Sequence, residues 1–162
     1  MTITVGTDTY ATVAEADTYA TGRAWTDWLA LSTGVKEARL VEAATYLDTS
    51  YEWKGRITET DQAMSWPRDG VVDKEGRLLA SDVVPERVKA AQIELARIAT
   101  AGLVVSDTQG EVTAITAGSV SLTFKDSQSV TEGAKYRPID RMLAGLYLSR
   151  AGTVRNVRLI NG

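Results

Sequence analysis

The sequence predicts a mainly α-helical protein: a small bundle of about four helices with β-hairpin insertions and an extended C-terminal tail. Three observations predict this fold class. Apolar residues recur at helical spacing in four segments, the pattern changes to alternation near residue 120, and the last ten residues mix apolar and arginine side chains without a helix-ending signal. We expect residues 1–152 to form one domain and residues 153–162 to form a tail.

The first half of the chain contains a short strand at residues 3–5 and two predicted helices. Thr12 and Glu15 have the spacing of a capping box, in which each side chain accepts a hydrogen bond from a free backbone amide. The first helix should start there and run to about Leu31, and a second helix should follow residues 32–34 and end at Gly55. The apolar stripes are Ala16, Ala20, Ala24 and Trp28 in the first helix and Leu40, Ala44, Leu47 and Tyr51 in the second.

The second half of the chain alternates hairpins and helices. A turn at residues 73–76 predicts a small hairpin. Pro85, whose missing amide hydrogen has no partner in a first turn, begins a third helix that stops at Gly102. Alternation from residue 111 to 125 predicts a hairpin or an arm, and Pro138 opens a short fourth helix. The inward side chains are Val88, Ala91, Leu95 and Ile98 in the third helix and Ile139, Met142, Leu143 and Leu146 in the fourth.

The composition argues against catalysis. The 162 residues include no cysteine and no histidine, which removes disulfides, thiolate nucleophiles, serine–histidine triads and the usual zinc sites. Glu59 and Asp61 have no context that would bury them, and Asp69, Asp73 and Glu75 lack the spacing of a calcium loop. We therefore predict no enzymatic activity, no cofactor and no metal ion. No apolar run is long enough to cross a bilayer, so no membrane partner is expected.

The net charge of −3 is unevenly distributed along the chain. Residues 135–162 contain six basic residues and one acid, a balance of +5, so residues 1–134 carry −8. An apolar and basic tail with nothing of its own to cover it usually binds another chain. Nucleic acid and a membrane surface are the alternatives, but the arginines are scattered and the apolar residues are few.

The segment from Tyr46 to Val71 is rich in aromatic and basic residues. It contains Trp53, Trp66, Lys54, Arg56 and Arg68. Tryptophans beside cations are the composition of a single-stranded nucleic-acid platform, in which bases stack on rings and cations hold phosphates. The other interpretation is that both rings cover the ends of a helix pair, and the acidic body, which repels a polyanion, favours it. We expect both tryptophans and Tyr51 to be buried.

Several segments, in the same order, resemble one known family. The most specific are "WKGR" at residues 53–56, "QAMSWPR" at 62–68, "VPERVKAAQIELA" at 84–96 and "RPIDRMLAGL" at 137–146. From Tyr10 to about Leu148 the chain resembles the phage head-tail adaptor (connector) proteins, a sequence family often labelled DnaT-like single-stranded DNA-binding. The resemblance stops before the last residues of the chain.

The resemblance implies a structural virion protein. Adaptors of this family form a ring of about a dozen subunits below the portal, which continues the DNA channel and receives the tail or neck proteins. The implied partners are further copies of the chain, the portal protein and a tail or neck completion protein, while DNA passes through the channel without specific binding. The protein would lie in the host cytoplasm during assembly and in the virion neck afterwards. The alternative, taken from the family label, is a single-stranded DNA-binding module.

The resemblance also implies where the contacts lie. The tail would dock on the portal, and the arm at residues 111–125 would contact a neighbour or the next ring. The predicted docking residues are Thr153, Val154, Arg155, Val157, Arg158, Leu159 and Ile160. The predicted contacts between subunits or with the neck are Arg56, Arg68, Val120, Leu122 and Phe124.

Overall fold

A computed structural model describes residues 3–99, 114–117, 120–123 and 129–150, with side-chain surroundings for residues 3–99 and 136–150. Within these residues the chain forms five helices and six short strands. The helices are α1 (Val13–Thr21), α2 (Thr26–Leu29), α3 (Thr33–Ser50), α4 (Glu86–Ile98) and α5 (Ser129–Met142). The strands are β1 (Tyr51–Trp53), β2 (Arg56–Ile57), β3 (Arg68–Asp69), β4 (Ala114–Ala117), β5 (Val120–Thr123) and β6 (Tyr147–Arg150).

The fold is mixed α/β, so the prediction of a mainly helical bundle is wrong. The described strands form three two-stranded antiparallel sheets, β1–β6, β2–β3 and β4–β5. The β1–β6 sheet joins residues far apart in the chain, with Tyr51 opposite Arg150 and Trp53 opposite Tyr147. Tyr51 therefore begins a strand instead of continuing the stripe of the second helix. A four-residue strand such as β6 is too short to show a clear alternation in sequence.

The first predicted helix is two helices. Its start is confirmed, because Glu15 N donates to Thr12 Oγ1 at 3.1 Å and Thr12 N donates to Glu15 Oε2 at 2.7 Å. However, α1 ends at Thr21, and Ala24 has a φ of +53°. This left-handed conformation interrupts a helix and costs a residue with a side chain about 1–2 kcal/mol. Ala24 is consequently exposed and not part of the buried stripe.

Two further helix predictions meet different outcomes. α4 begins directly after Pro85, as predicted. Pro138 does not open the fourth helix, since α5 begins upstream at Ser129 and contains Pro138 in its interior. Proline lacks the N–H that the carbonyl four residues earlier would accept, so its sequence signal is that of a helix start. Ile139 and Leu143 are nevertheless buried, as predicted.

Both predicted hairpins are present. β4 and β5 pair from Ala114 opposite Thr123 to Ala117 opposite Val120. The smaller hairpin is a single bridge between Val72 and Leu78, closed by a turn around residues 73–76.

A buried glutamine joins the N-terminal segment to the helices. Gln92 of α4 is fully buried. Its Oε1 accepts hydrogen bonds from Tyr10 N at 3.1 Å and Ala11 N at 3.0 Å, and its Nε2 donates to Thr9 Oγ1 at 2.6 Å and Leu40 O at 2.7 Å. All four hydrogen-bonding positions of the amide are filled, so the buried polar group carries no desolvation penalty from a missing partner.

The hydrophobic core lies between α3, α4 and α5. Among the described elements, α3 and α4 pack together most extensively. Leu40 and Leu47 of α3, Leu95 of α4 and Leu146 just before β6 are buried to 1% exposure or less. Because β1 follows α3 directly and β6 follows α5 closely, this packing brings the two strands together beside the core.

Candidate functional site

The segment from Tyr46 to Val71, here called the clasp, is built around two buried tryptophans. Trp53 and Trp66 are 6% and 0% exposed, and their rings meet edge to face with centroids 5.5 Å apart. Tyr51 is also buried, and its ring centroid lies 5.5 Å from that of Trp53. The predicted burial of these three rings is confirmed. None of them presents a free face on which a base could stack.

Gly55 in the clasp is required by a close backbone approach. It has a φ of +68°, and a Cβ at this position would lie 2.2 Å from the carbonyl oxygen of Asp69. Glycine populates this region without a steric penalty. The glycine of the "WKGR" segment therefore lets β2 turn tightly beside β3.

Arg68 connects three backbone carbonyls of the clasp through its guanidinium. Its Nε donates to Lys54 O at 2.7 Å, its Nη1 to Ser65 O at 3.1 Å and its Nη2 to Gly55 O at 2.9 Å. Burial lowers the pKa of this guanidinium. Each of these hydrogen bonds is charge-assisted and contributes more than a neutral one. Its predicted contact with another subunit stays a prediction, but most of its donors are used within the clasp.

Arg56 is the more accessible of the two predicted arginines. Its side chain is 83% exposed, and its Nη2 lies 3.1 Å from Asp69 Oδ2, which belongs to the residue opposite it in the β2–β3 sheet. An exposed ion pair of this kind contributes little to stability. Arg56 is thus free to exchange Asp69 for a partner outside the chain.

Asp48 links α3 to the clasp and to the N-terminal segment. The Tyr10 hydroxyl donates to Asp48 Oδ1, and Ser65 N donates to Asp48 Oδ2 at 3.1 Å. Burial raises the pKa of Asp48, and burial together with the nearby carboxylate raises the pKa of Tyr10. The three groups connect segments far apart in sequence and therefore tie α3 to the clasp and to the N-terminal segment.

Arg150, the last residue of β6, is anchored by hydrogen bonds to two side chains. Arg150 donates to Asp140 Oδ2 at 3.1 Å and to the Tyr46 hydroxyl at 2.6 Å. Tyr51 donates to Asp140 Oδ1 at 2.6 Å, and Arg150 lies 5.2 Å from the ring centroid of Tyr136. This cluster joins α3, α5, β1 and β6.

A groove lined by cations lies where the end of α1, the first turn of α4 and the last turn of α5 meet. It has a volume of about 390 Å³, and Tyr19, Ala90 and Met142 contribute to its walls. Its charged residues, here called the basic groove, are Arg23, Lys74, Arg87, Arg141 and the single carboxylate Glu86. A more apolar groove between α1 and α4 adjoins it and shares Tyr19, Glu86 and Ala90.

Pairing within the basic groove is uneven. Arg23 Nε lies 3.6 Å from Glu94 Oε1, and its guanidinium lies 3.4 Å from the ring centroid of Tyr19. Lys74 Nζ is 3.5 Å from Glu75 Oε1. Arg87 and Arg141 are exposed and have no ion-pair partner in the part of the chain that the structure describes. A groove with four convergent cations attracts anionic groups.

Sequence reasoning did not find the basic groove. Its cations come from four separate segments, and no local pattern connects them. In the sequence, Arg141 is one of the six basic residues between residues 135 and 162. Of the predicted contact residues, Val120 and Leu122 lie in β5, whereas Phe124 and the docking residues 153–160 lie outside the described residues.

The described residues contain neither a metal-binding cluster nor a helix that could span a membrane. Among the described residues, no group of three or more carboxylates is placed to hold a metal ion. None of the helices in residues 3–99 and 129–150 combines the length and apolar character that crossing a bilayer requires.

Comparison with known proteins gives one result. A family model described as "Putative DnaT-like ssDNA binding protein" matches residues 2–161. A search of curated proteins and a search of solved structures each found no significant match. The family match agrees with the DnaT-like label of the resemblance, while the head-tail adaptor function stays a prediction. Because the match covers almost the whole sequence, the chain belongs to this DnaT-like family.

Proposed function

We propose that the chain is a structural adaptor, which forms a ring of identical subunits between a phage portal and the tail or neck proteins. It acts without catalysis and without a cofactor, and DNA passes through its channel without specific binding. The ring assembles in the host cytoplasm and becomes part of the virion neck. The order of the "WKGR", "QAMSWPR" and "VPERVKAAQIELA" segments supports this proposal through the resemblance to adaptors.

The observation that carries the proposal is a division between buried aromatic and exposed aliphatic side chains. All four tryptophans are between 0% and 7% exposed. In contrast, Val72 and Leu78 are 42% and 69% exposed, and they face each other across the small hairpin. Val71, the residue before this pair, is buried, so alternate residues of the hairpin face the core and the solvent. Such a surface suits contact with another protein better than stacking of bases.

The tail of the chain supplies the proposed portal contact. Arg150, which precedes the tail in sequence, is anchored by Asp140 and Tyr46. The apolar and basic side chains of the tail fit a protein surface with acidic and apolar patches. Deletion of residues 153–162 should leave a folded protein that no longer joins portal-bearing heads. Truncated protein that still assembles onto such heads would contradict this part of the proposal.

A second candidate function is binding of single-stranded DNA. The family's description names this activity and supports it more directly than it supports the adaptor. The basic groove adds a physical argument, since Arg87 and Arg141 could contact phosphates. Without exposed tryptophans in the described residues, binding would depend mainly on charge and would weaken steeply with salt.

Fluorescence anisotropy of a labelled oligothymidylate separates the two candidates. The adaptor predicts no binding by the purified chain near physiological salt, about 0.15 M. Binding that strengthens at low salt and is lost with Arg87→Glu would favour the DNA-binding module. Arg137→Glu is a matched control, since Arg137 is exposed on the same helix as Arg141 but does not line the groove.

A further inference from the structure

The basic groove differs in charge from the body around it. Residues 3–99 contain eleven lysines and arginines and sixteen aspartates and glutamates, a net charge of −5. The charged residues that line the groove are four cations and one carboxylate, a net charge of +3, from four segments of the chain. Glu94 and Glu75 pair with Arg23 and Lys74, respectively. Arg87 and Arg141 therefore carry the charge that is not balanced within the described residues. Like charges brought together on a surface repel one another, so an anionic partner would stabilise the arrangement.

An exposed acidic surface lies on two other segments of the same chain. Thr58 Oγ1 donates to Ser81 O at 2.8 Å, which holds residues 58–61 beside residues 81–82. The carboxylates of these segments, here called the acidic corner, are Glu59, Asp61 and Asp82. All three are exposed and have no ion-pair partner in the described ranges of the chain.

Apolar side chains flank the acidic corner. Ile57 is 41% exposed and precedes the first acidic segment, and Val83 is 53% exposed and follows the second. Ala90 and Met142 line the basic groove between its cations. The two surfaces therefore match in both respects that a protein interface needs, opposite charge at the rim and apolar contact beside it.

We propose that the basic groove of one copy binds the acidic corner of the next copy. This inference rests on the proposed ring. A ring with head-to-tail contacts requires two different and complementary surfaces on every subunit, and these two differ in residues and are opposite in charge. A nucleic acid is the less favoured occupant, because Arg23 covers one face of the Tyr19 ring and the acidic body repels a polyanion.

A charge-reversal experiment on the full chain tests the inference. The groove variant carries Arg87→Glu and Arg141→Glu, and the corner variant carries Glu59→Lys, Asp61→Lys and Asp82→Lys. Self-association is measured by sedimentation velocity over a concentration series at low and physiological salt. Each variant alone should associate at least about tenfold more weakly than wild type, because like charges then meet at every contact. An equimolar mixture of the two variants should recover association, because in an alternating assembly each reversed surface meets the opposite charge on the other variant. A chain that carries both sets should recover association to within about threefold of wild type.

Two further variants control for unfolding and for a nonspecific effect of charge. Arg141 lies in the last turn of α5, where a carboxylate opposes the helix dipole. Should circular dichroism show that the groove variant is unfolded, Arg87→Glu alone replaces it, because a carboxylate is favoured in the first turn of α4. Arg87→Glu alone should weaken association, and adding Asp82→Lys to the same chain should restore it. Arg137→Glu, which changes charge outside the groove, should associate like wild type.

The outcomes distinguish the inference from the function on which it rests. Wild type that assembles, together with charge reversals that change nothing, overturns the inference and leaves the ring intact. Wild type that stays monomeric at every concentration and salt overturns both. Unchanged assembly of the groove variant with loss of oligothymidylate binding would assign the groove to nucleic acid and also overturn the inference.

Discussion

Trp66→Ala tests whether the clasp is part of the core. The side chain is 0% exposed. A buried tryptophan removes about 150–250 Å² from water, which at about 25 cal/mol per Å² amounts to about 4–6 kcal/mol. The edge-to-face contact with Trp53 adds about 1 kcal/mol. Trp66 Nε1 has no acceptor in the described part of the chain, so removing it recovers about 1–3 kcal/mol. The net loss should be about 3–5 kcal/mol, the range found for tryptophan truncation in cores.

Urea unfolding followed by circular dichroism measures this loss. The midpoint should fall while the slope with urea stays constant, and the melting temperature should fall by about 2–4 °C for each kcal/mol. Leu78→Ala is the control, because Leu78 is 69% exposed and its loss should cost no more than about 0.5 kcal/mol. A melting curve of Trp66→Ala that matches wild type would refute the reasoning and place Trp66 at a contact surface.

Three other predictions concern the polar and backbone features of the clasp. Gly55→Ala should destabilise the fold by at least about 1 kcal/mol, measured by urea unfolding, because its Cβ would lie 2.2 Å from Asp69 O; no loss would show that β2 can move away. Arg68→Lys should lower the unfolding free energy by about 1–2 kcal/mol in the same assay, since an ammonium cannot reach all three carbonyls that the guanidinium contacts. Equal stability would show that these hydrogen bonds do not stabilise the clasp. For Asp48, the raised pKa means that the folded state binds a proton more tightly, so the contribution of this carboxyl to stability falls as the pH rises from about 4 towards its folded pKa. The unfolding free energy of wild type minus that of Asp48→Asn should decrease across this window, and a constant difference would disprove the effect.

Helix starts that depend on neighbouring residues could be predicted from the sequence. The capping box of Thr12 and Glu15 marks a helix start through two hydrogen bonds between neighbouring residues. Pro85 marks the start of α4 for an equally local reason. The burial of Trp53 and Trp66 could also be predicted from the sequence. Large aromatic rings gain from burial, and an acidic chain repels the polyanion that would otherwise stack on them.

The features that sequence reasoning missed depend on contacts between distant segments. β6 is a strand because β1 lies beside it, and four residues alone do not specify that pairing. The identity of Ala24 gives no sign of its positive φ, because alanine rarely adopts this conformation; the tryptophans that follow it, Trp25 and Trp28, are both buried. The cations of the basic groove lie in separate elements, so only the packing of α1, α4 and α5 brings them together.

The central claim is that copies of this chain assemble with one another through protein surfaces. Electron micrographs of the purified full-length chain, taken at the highest soluble concentration and low salt, test it most directly. The account predicts closed rings of uniform size with a central channel. Dispersed monomers that form particles only when oligothymidylate is added would contradict it.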